Sequence, residues 1–270
     1  LLVLGPLFAF ASPQARFVTG GVVGNIFGNL FIPAVLLLFY RGLSEHKSLM
    51  LAAGLFFAFI LAYTHHLSTL ILAFMLFGAI VITGVALLRT ETTFLRQWLR
   101  LFFSPAVMSF LFVAALFMIF IAIPTYLDTA AIDSALGTPT KTTRTGLSFF
   151  QISNTIGLGK VALGSFGFFL ALGMLFRRPI ESGFMLGWGG LLAVMAMYPH
   201  LLFLDIPSSR IGSYLSYPFG LLAGFALAWI VPQLSSKQTR LPMFFKVTAI
   251  GTLLLFLVGS GSSDNASSLT

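Results

Sequence analysis

The chain has 270 residues, 58% of them hydrophobic and only 8% charged, with a mean hydropathy of +1.00 and a formal net charge of +8. Soluble domains carry about 25% charged residues, so this composition excludes an ordinary soluble enzyme and points to a polytopic membrane protein. The lack of cysteine excludes disulfides, thiolate metal sites and cysteine nucleophiles. The positive charge is no nucleic-acid signal, because it lies between apolar runs, where it sets orientation and meets phosphate headgroups.

A helix needs roughly 20 apolar residues to cross the hydrocarbon, and its backbone must be satisfied within the segment because no water is available there. On that ruler residues 1–260 form an all-α polytopic membrane bundle of about nine spans. They are 1–10, 18–40, 48–64, 67–88, 103–124, 161–176, 183–203, 211–231 and 243–260. The first reads as truncated, so the chain is expected to be a piece of a longer protein.

In chain order, the second span opens on "VTGGVVGNIFGN", where Gly20, Gly24 and Gly28 recur every fourth residue, as do Asn25 and Asn29. Small residues at that spacing admit a neighbouring helix closely, and asparagine hydrogen-bonds across the contact. The same face would also suit a lipid-tail groove. The next boundary, "AYTHHLSTL", places His65 and His66 between two apolar runs. Either histidine would serve as a phosphate or sugar ligand or as a proton carrier, or would simply be satisfied by water at the interface. In a helix the two would point about 100° apart, so one site cannot use both equally.

Residues 89–102 read as a short interfacial helix with Arg89, Arg96 and Arg100 on one face and Phe94, Leu95, Trp98 and Leu99 around the rest. Residues 125–160 read as a long Thr- and Ser-rich loop carrying Asp128, Asp133, Lys141, Arg144 and Lys160. In "HLLFLDIPSSRIGSYLSYPFGLLAG", Pro207 blocks a helix and Ser208 or Ser209 should cap the one that follows. Arg210 then stands at a helix N-terminus, where a bound phosphate, Asp205 or a lipid headgroup would balance it. The tail 261–270 reads as a polar linker toward a further soluble domain.

Lys and Arg favour one set of connections: 41–47, 89–102, 177–182 and 232–242. These are expected to be cytoplasmic in a multi-pass cell-membrane protein, which turns His65, His66, Lys160, Arg210, Asp128, Asp133 and Asp205 outward. No cofactor motif is evident. A divalent metal held by His65, His66, His200 and an outer aspartate has no ligand spacing behind it.

Residues 28–77, "GNLFIPAVLLLFYRGLSEHKSLMLAAGLFFAFILAYTHHLSTLILAFMLF", followed by "SSRIGSYLSYPFGLLAG" (208–224), resemble the C-terminal membrane half of GT-C fold glycosyltransferases. These are relatives of oligosaccharyltransferase, protein mannosyltransferase and the aminoarabinose transferases. The resemblance implies transfer of a sugar from a polyprenyl-phosphate donor to an acceptor at the extracytoplasmic face. It gives the donor phosphate to Arg210, with His65, His66 and Lys160 as weaker ligands. It also implies a catalytic acid upstream of Leu1, leaving Asp128, Asp133 and Asp205 as the acids on the matching side. A transporter or flippase of lipid-linked glycans and a non-catalytic membrane scaffold are the other readings of the same residues. The near absence of charge inside the spans counts against transport.

Overall fold

Uninterrupted apolar runs whose polar residues fall at the ends leave the backbone no better partner than itself, and the chain answers with helices. The computed structural model describes residues 23–123, 145–202, 208–235, 248 and 251–252, and no strand occurs among them. The span expected at 1–10, nearly all of that at 243–260, the tail at 261–270, and Asp128, Asp133 and Asp205 lie outside the described residues.

In order, the helices are α1 (Val23–Ser44), α2 (Ser48–Thr64), α3 (His66–Thr90), α4 (Thr92–Phe102), α5 (Pro105–Phe117), α6 (Phe149–Ile156), α7 (Leu158–Met174), α8 (Pro179–Met197), α9 (Ser208–Tyr214) and α10 (Ser216–Ser235). A π turn, Met118–Ala122, prolongs α5, and a 3-10 turn, Pro199–Leu202, follows α8. Each expected span that falls on described residues is therefore helical. Among the described residues, three helices are long and apolar enough to cross a membrane: Leu67–Thr90, Pro179–Met197 and Ile211–Pro232. Counting the bent pairs α4–α5 (45°) and α6–α7 (114°) as one span each raises this to five, and α1 and α2 supply shorter apolar helices.

Helices α3 and α8, α7 and α10, and α1 and α2 are the main packed pairs. Glycine sets the first two contacts. A Cβ on Gly187 of α8 would overlap the Gly78 carbonyl of α3, and one on Gly183 would sit 2.7 Å from the Thr83 Cα. A Cβ on Gly164 of α7 would lie 2.9 Å from the Phe219 carbonyl oxygen of α10. With lipid tails as apolar as the side chains, close backbone approach and dispersion replace the hydrophobic effect as the source of helix association. The largest buried cluster, including Ile32, Leu36, Leu61, Met75, Leu192 and Tyr214, joins α1, α2, α3, α8 and α9.

Several expected boundaries shift. The helix expected at 89–102 begins at Thr92, because Glu91 (φ −146°, ψ 76°) interrupts it, so Arg89 belongs to the last turn of α3 and does not share a face with Arg96 and Arg100. Trp98 is buried and its Nε1 donates to the Leu43 carbonyl at 3.2 Å, tying α4 to the end of α1. The segment expected to be loop up to residue 160 is helical from Phe149, with Ser148 and Gln151 forming a reciprocal capping box. Gly157 makes the elbow between α6 and α7 at φ 95°, a conformation that only glycine adopts cheaply. The span expected to reach 203 stops at Met197.

Candidate functional site

One end of the bundle gathers the α2–α3 joint, the start of α7, the end of α8 and the α9–α10 junction. His65 is the single extended residue (φ −155°, ψ 95°) between α2 and α3. Its N–H donates to Leu61 O at 2.8 Å, closing α2, and its Nδ1 accepts the Ser68 N–H at 3.2 Å, capping α3. The same Nδ1 lies 2.6 Å from Ser68 Oγ, which lies 2.7 Å from the Tyr214 hydroxyl. A ring nitrogen that accepts a backbone N–H carries no proton, so the neutral imidazole bears its proton on Nε2. The Ser68 hydroxyl then donates to His65, and the Tyr214 hydroxyl donates to Ser68. Ser68 and Tyr214 are buried, and a Cβ on Gly28 of α1 would sit 2.8 Å from the Tyr214 oxygen and inside the Ser68 side chain. The glycine face of the second span thus serves close packing at this point.

Lys160 is the third residue of α7, not a loop residue. It is 4% exposed, and its Nζ donates to Ser216 Oγ at 3.0 Å. Tyr214 and Ser216 flank Leu215, the residue that separates α9 from α10. The histidine arm and the lysine arm therefore meet one short stretch of chain from two sides. Leu147 N–H donates to Ala196 O at 2.8 Å, and Ser208 Oγ donates to Thr145 O at 3.2 Å, so residues 145–148 lie across the ends of α8 and α9.

Arg210 occupies the first turn of α9, one turn ahead of Tyr214. Ser208 is already helical and spends its hydroxyl on Thr145, so it does not cap as expected. With seven residues, α9 offers a weak macrodipole, and any anion binding there rests on the guanidinium itself. His66 is the first residue of α3, outside the joint that His65 forms, so the pair are not successive helical residues. His200 is exposed on the 3-10 turn, edge-on to Tyr198 with ring centroids 6.1 Å apart. Among the described residues no three His, Cys, Asp or Glu side chains gather as a metal ion would require.

A cavity of about 450 Å³ opens between α1, α8 and α10, lined by Pro33, Leu36, Tyr40, Glu181, Phe184 and Trp188 among others. Its wall is almost wholly apolar. The Trp188 Nε1 is buried without a hydrogen-bond partner among the described residues. Pro33, five residues or about 7.5 Å along α1 from Gly28, marks the near side of the cavity, and Tyr40 and Glu181 carry it toward the opposite end of the bundle.

No family model, curated protein or solved structure matches this chain. The site therefore stands on its own geometry.

Sequence reasoning singles out His65 and Lys160 but misses Ser68, Tyr214 and Ser216, which hydrogen-bond to them directly or in chain. Signals existed. Ser68 lies three residues after His65, the spacing of an N-cap, and Tyr214 lies one helical turn after Arg210. Tyr214→Phe removes one buried hydrogen bond while keeping the ring, and should lower stability by about 1 kcal/mol in a denaturant titration of the detergent-solubilised protein. A loss near zero would show that Ser68 is satisfied without the tyrosine.

Proposed function

We propose that the chain is the membrane portion of a glycosyltransferase that takes its sugar from a polyprenyl-phosphate donor at the extracytoplasmic face of a cell membrane. The observation that carries this reading is the meeting of His65, through Ser68 and Tyr214, and of Lys160, through Ser216, at the short stretch that Arg210 precedes. Three sequence regions far apart in the chain thereby meet at one end of the bundle. Breaking a glycosyl–phosphate bond places growing negative charge on the leaving phosphate, and prepositioned cations lower the barrier where water is scarce. An apolar cavity in the same bundle, running from Pro33 toward Tyr40 and Glu181, supports a lipid-linked substrate over a soluble one, since a polyisoprenoid needs an apolar channel.

In the reaction, an acceptor hydroxyl or amide attacks the anomeric carbon as the phosphate departs. A base takes the acceptor proton, and the acids on the matching side, Asp128, Asp133 and Asp205, are the weak candidates within this chain. Arg210 and Lys160 balance the departing phosphate. His65 orients the Ser68–Tyr214 pair that holds α9 in place.

The decisive experiment is transfer of labelled sugar from a polyprenyl-phosphate donor by the longest natural form of the protein. Lys160→Met keeps the length and apolar stem of the side chain and removes the charge. We expect transfer to fall about ten-fold with the folded fraction unchanged, one charge-assisted contact being worth about 1.5 kcal/mol or more. Wild-type transfer by Lys160→Met would leave the lysine as a packing residue.

A further inference from the structure

At the opposite end of the bundle, a cationic side chain that the proposed reaction does not use stacks on an aromatic ring, and two more cations follow that ring in sequence. Arg89 closes α3, and its guanidinium carbon stands 5.7 Å from the centroid of the Phe176 ring. Phe176 lies in the α7–α8 turn and is followed at once by Arg177 and Arg178. Their backbone N–H groups donate to Met174 O at 2.9 and 2.8 Å, which fixes the turn. All three arginines are exposed.

Among the described residues, the ion pairs at this end are those of Glu45 with Lys47 (2.6 Å) and with Arg41 (3.9 Å). The Lys47 hydrogen bond holds the Glu45 carboxyl below its usual range, so that acid is ionised and engaged elsewhere. The acids nearest to the cluster in sequence, Glu91 and Glu181, make no ion pair with it.

Next to the arginines, toward the middle of both helices, the surface turns apolar. Helix α3 exposes Val85 and Leu88, and α7 exposes Phe169 and Leu172, each pair at the three-residue spacing that puts side chains on one helix face. A Cβ on Gly84 or Gly173 would meet nothing within 4 Å, so no described residue covers the strip. The Arg89–Phe176 contact joins the end of α3 to the turn that follows α7, at the head of both apolar faces.

We infer that Arg89, Arg177 and Arg178, with the bare apolar strip of α3 and α7 below them, form a binding site for an anionic phospholipid. The headgroup phosphate meets the guanidinium groups, and an acyl chain lies along Val85, Leu88, Phe169 and Leu172. Guanidinium pairs phosphate oxygens two at a time, and basic pockets at helix ends are the places where acidic lipids are held. A soluble anion would satisfy the arginines and leave the strip unused. A phospholipid answers both halves with one molecule.

The test is native mass spectrometry of the full chain in neutral detergent with phosphatidylglycerol or phosphatidylcholine added. The wild type should retain phosphatidylglycerol over phosphatidylcholine by about ten-fold, on the scale set by basic side chains meeting acidic lipid. Arg89→Gln/Arg177→Gln/Arg178→Gln should bring the ratio near unity, while Arg96→Gln/Arg100→Gln on α4 should keep it. Equal retention by the wild type, or equal loss in both variants, overturns the site. Displacement of the lipid by an equal concentration of inorganic phosphate overturns the phospholipid as occupant. If the triple variant is not recovered folded, Arg177→Lys/Arg178→Lys keeps the charge and is read in its place. A drop of about three-fold is then expected, because lysine cannot pair a phosphate in two places, and an unchanged ratio overturns the inference.

Discussion

Arg210→Ala is expected to slow sugar transfer from a polyprenyl-phosphate donor by roughly 30- to 1,000-fold, about 2–4 kcal/mol of transition-state stabilisation. The size follows from where the charge appears. In the ground state the donor phosphate is already anionic and solvated by its surroundings, whereas in the transition state the bridging oxygen gains charge that only fixed cations can meet. The loss should therefore fall mainly on kcat, with a smaller change in KM. Arg210→Lys should recover part of it, because the charge returns without the two-pronged geometry. Normal turnover by a folded Arg210→Ala protein would remove this arginine from the chemistry and leave Lys160 as the main cation at that end of the bundle.

Gly187→Val is expected to abolish the native bundle. The α3–α8 contact is backbone against backbone: a Cβ at 187 overlaps the Gly78 carbonyl, and no flexible side chain is there to swing aside. Overpacking costs typically 1–3 kcal/mol when side chains can yield, and this site lies beyond the upper end of that range because a whole helix must move. The measurement is unfolding by a denaturing detergent titrated into mild micelles. Gly84→Ala is the matched control: it lies on α3 as well, but its added methyl meets nothing within 4 Å, and exchanging glycine for alanine inside a helix favours folding. Equal stability of Gly187→Val and wild type would mean that α3 and α8 do not need their present separation.

The helices could be read in the sequence because hydrocarbon forces each apolar run to satisfy its own backbone, a rule that leaves little to context. Their ends could not be read so well. Glu91 breaks the α3–α4 run although nothing in "RTETTF" is a strong helix stop, and Gly157 bends a stretch that reads as plain loop. Lys160 falls at the end of that Thr- and Ser-rich stretch and so reads as loop. Its burial depends on Ser216, a partner 56 residues away that no local pattern announces. His65 and Arg210 stood out because ionisable groups are rare in this chain. Ser68 and Tyr214 give no such signal, because a serine and a tyrosine near a membrane boundary are ordinary.

The joint at His65 also limits how the chain can change length. Because one imidazole closes α2 and opens α3, there is no slack between them to absorb an extra residue. An insertion there would turn all of α3 by about 100° and carry Ser68 away from Tyr214 and Gly78 away from Gly187 in a single step. Loop grafts, tags and reporter peptides should therefore be refused at this corner.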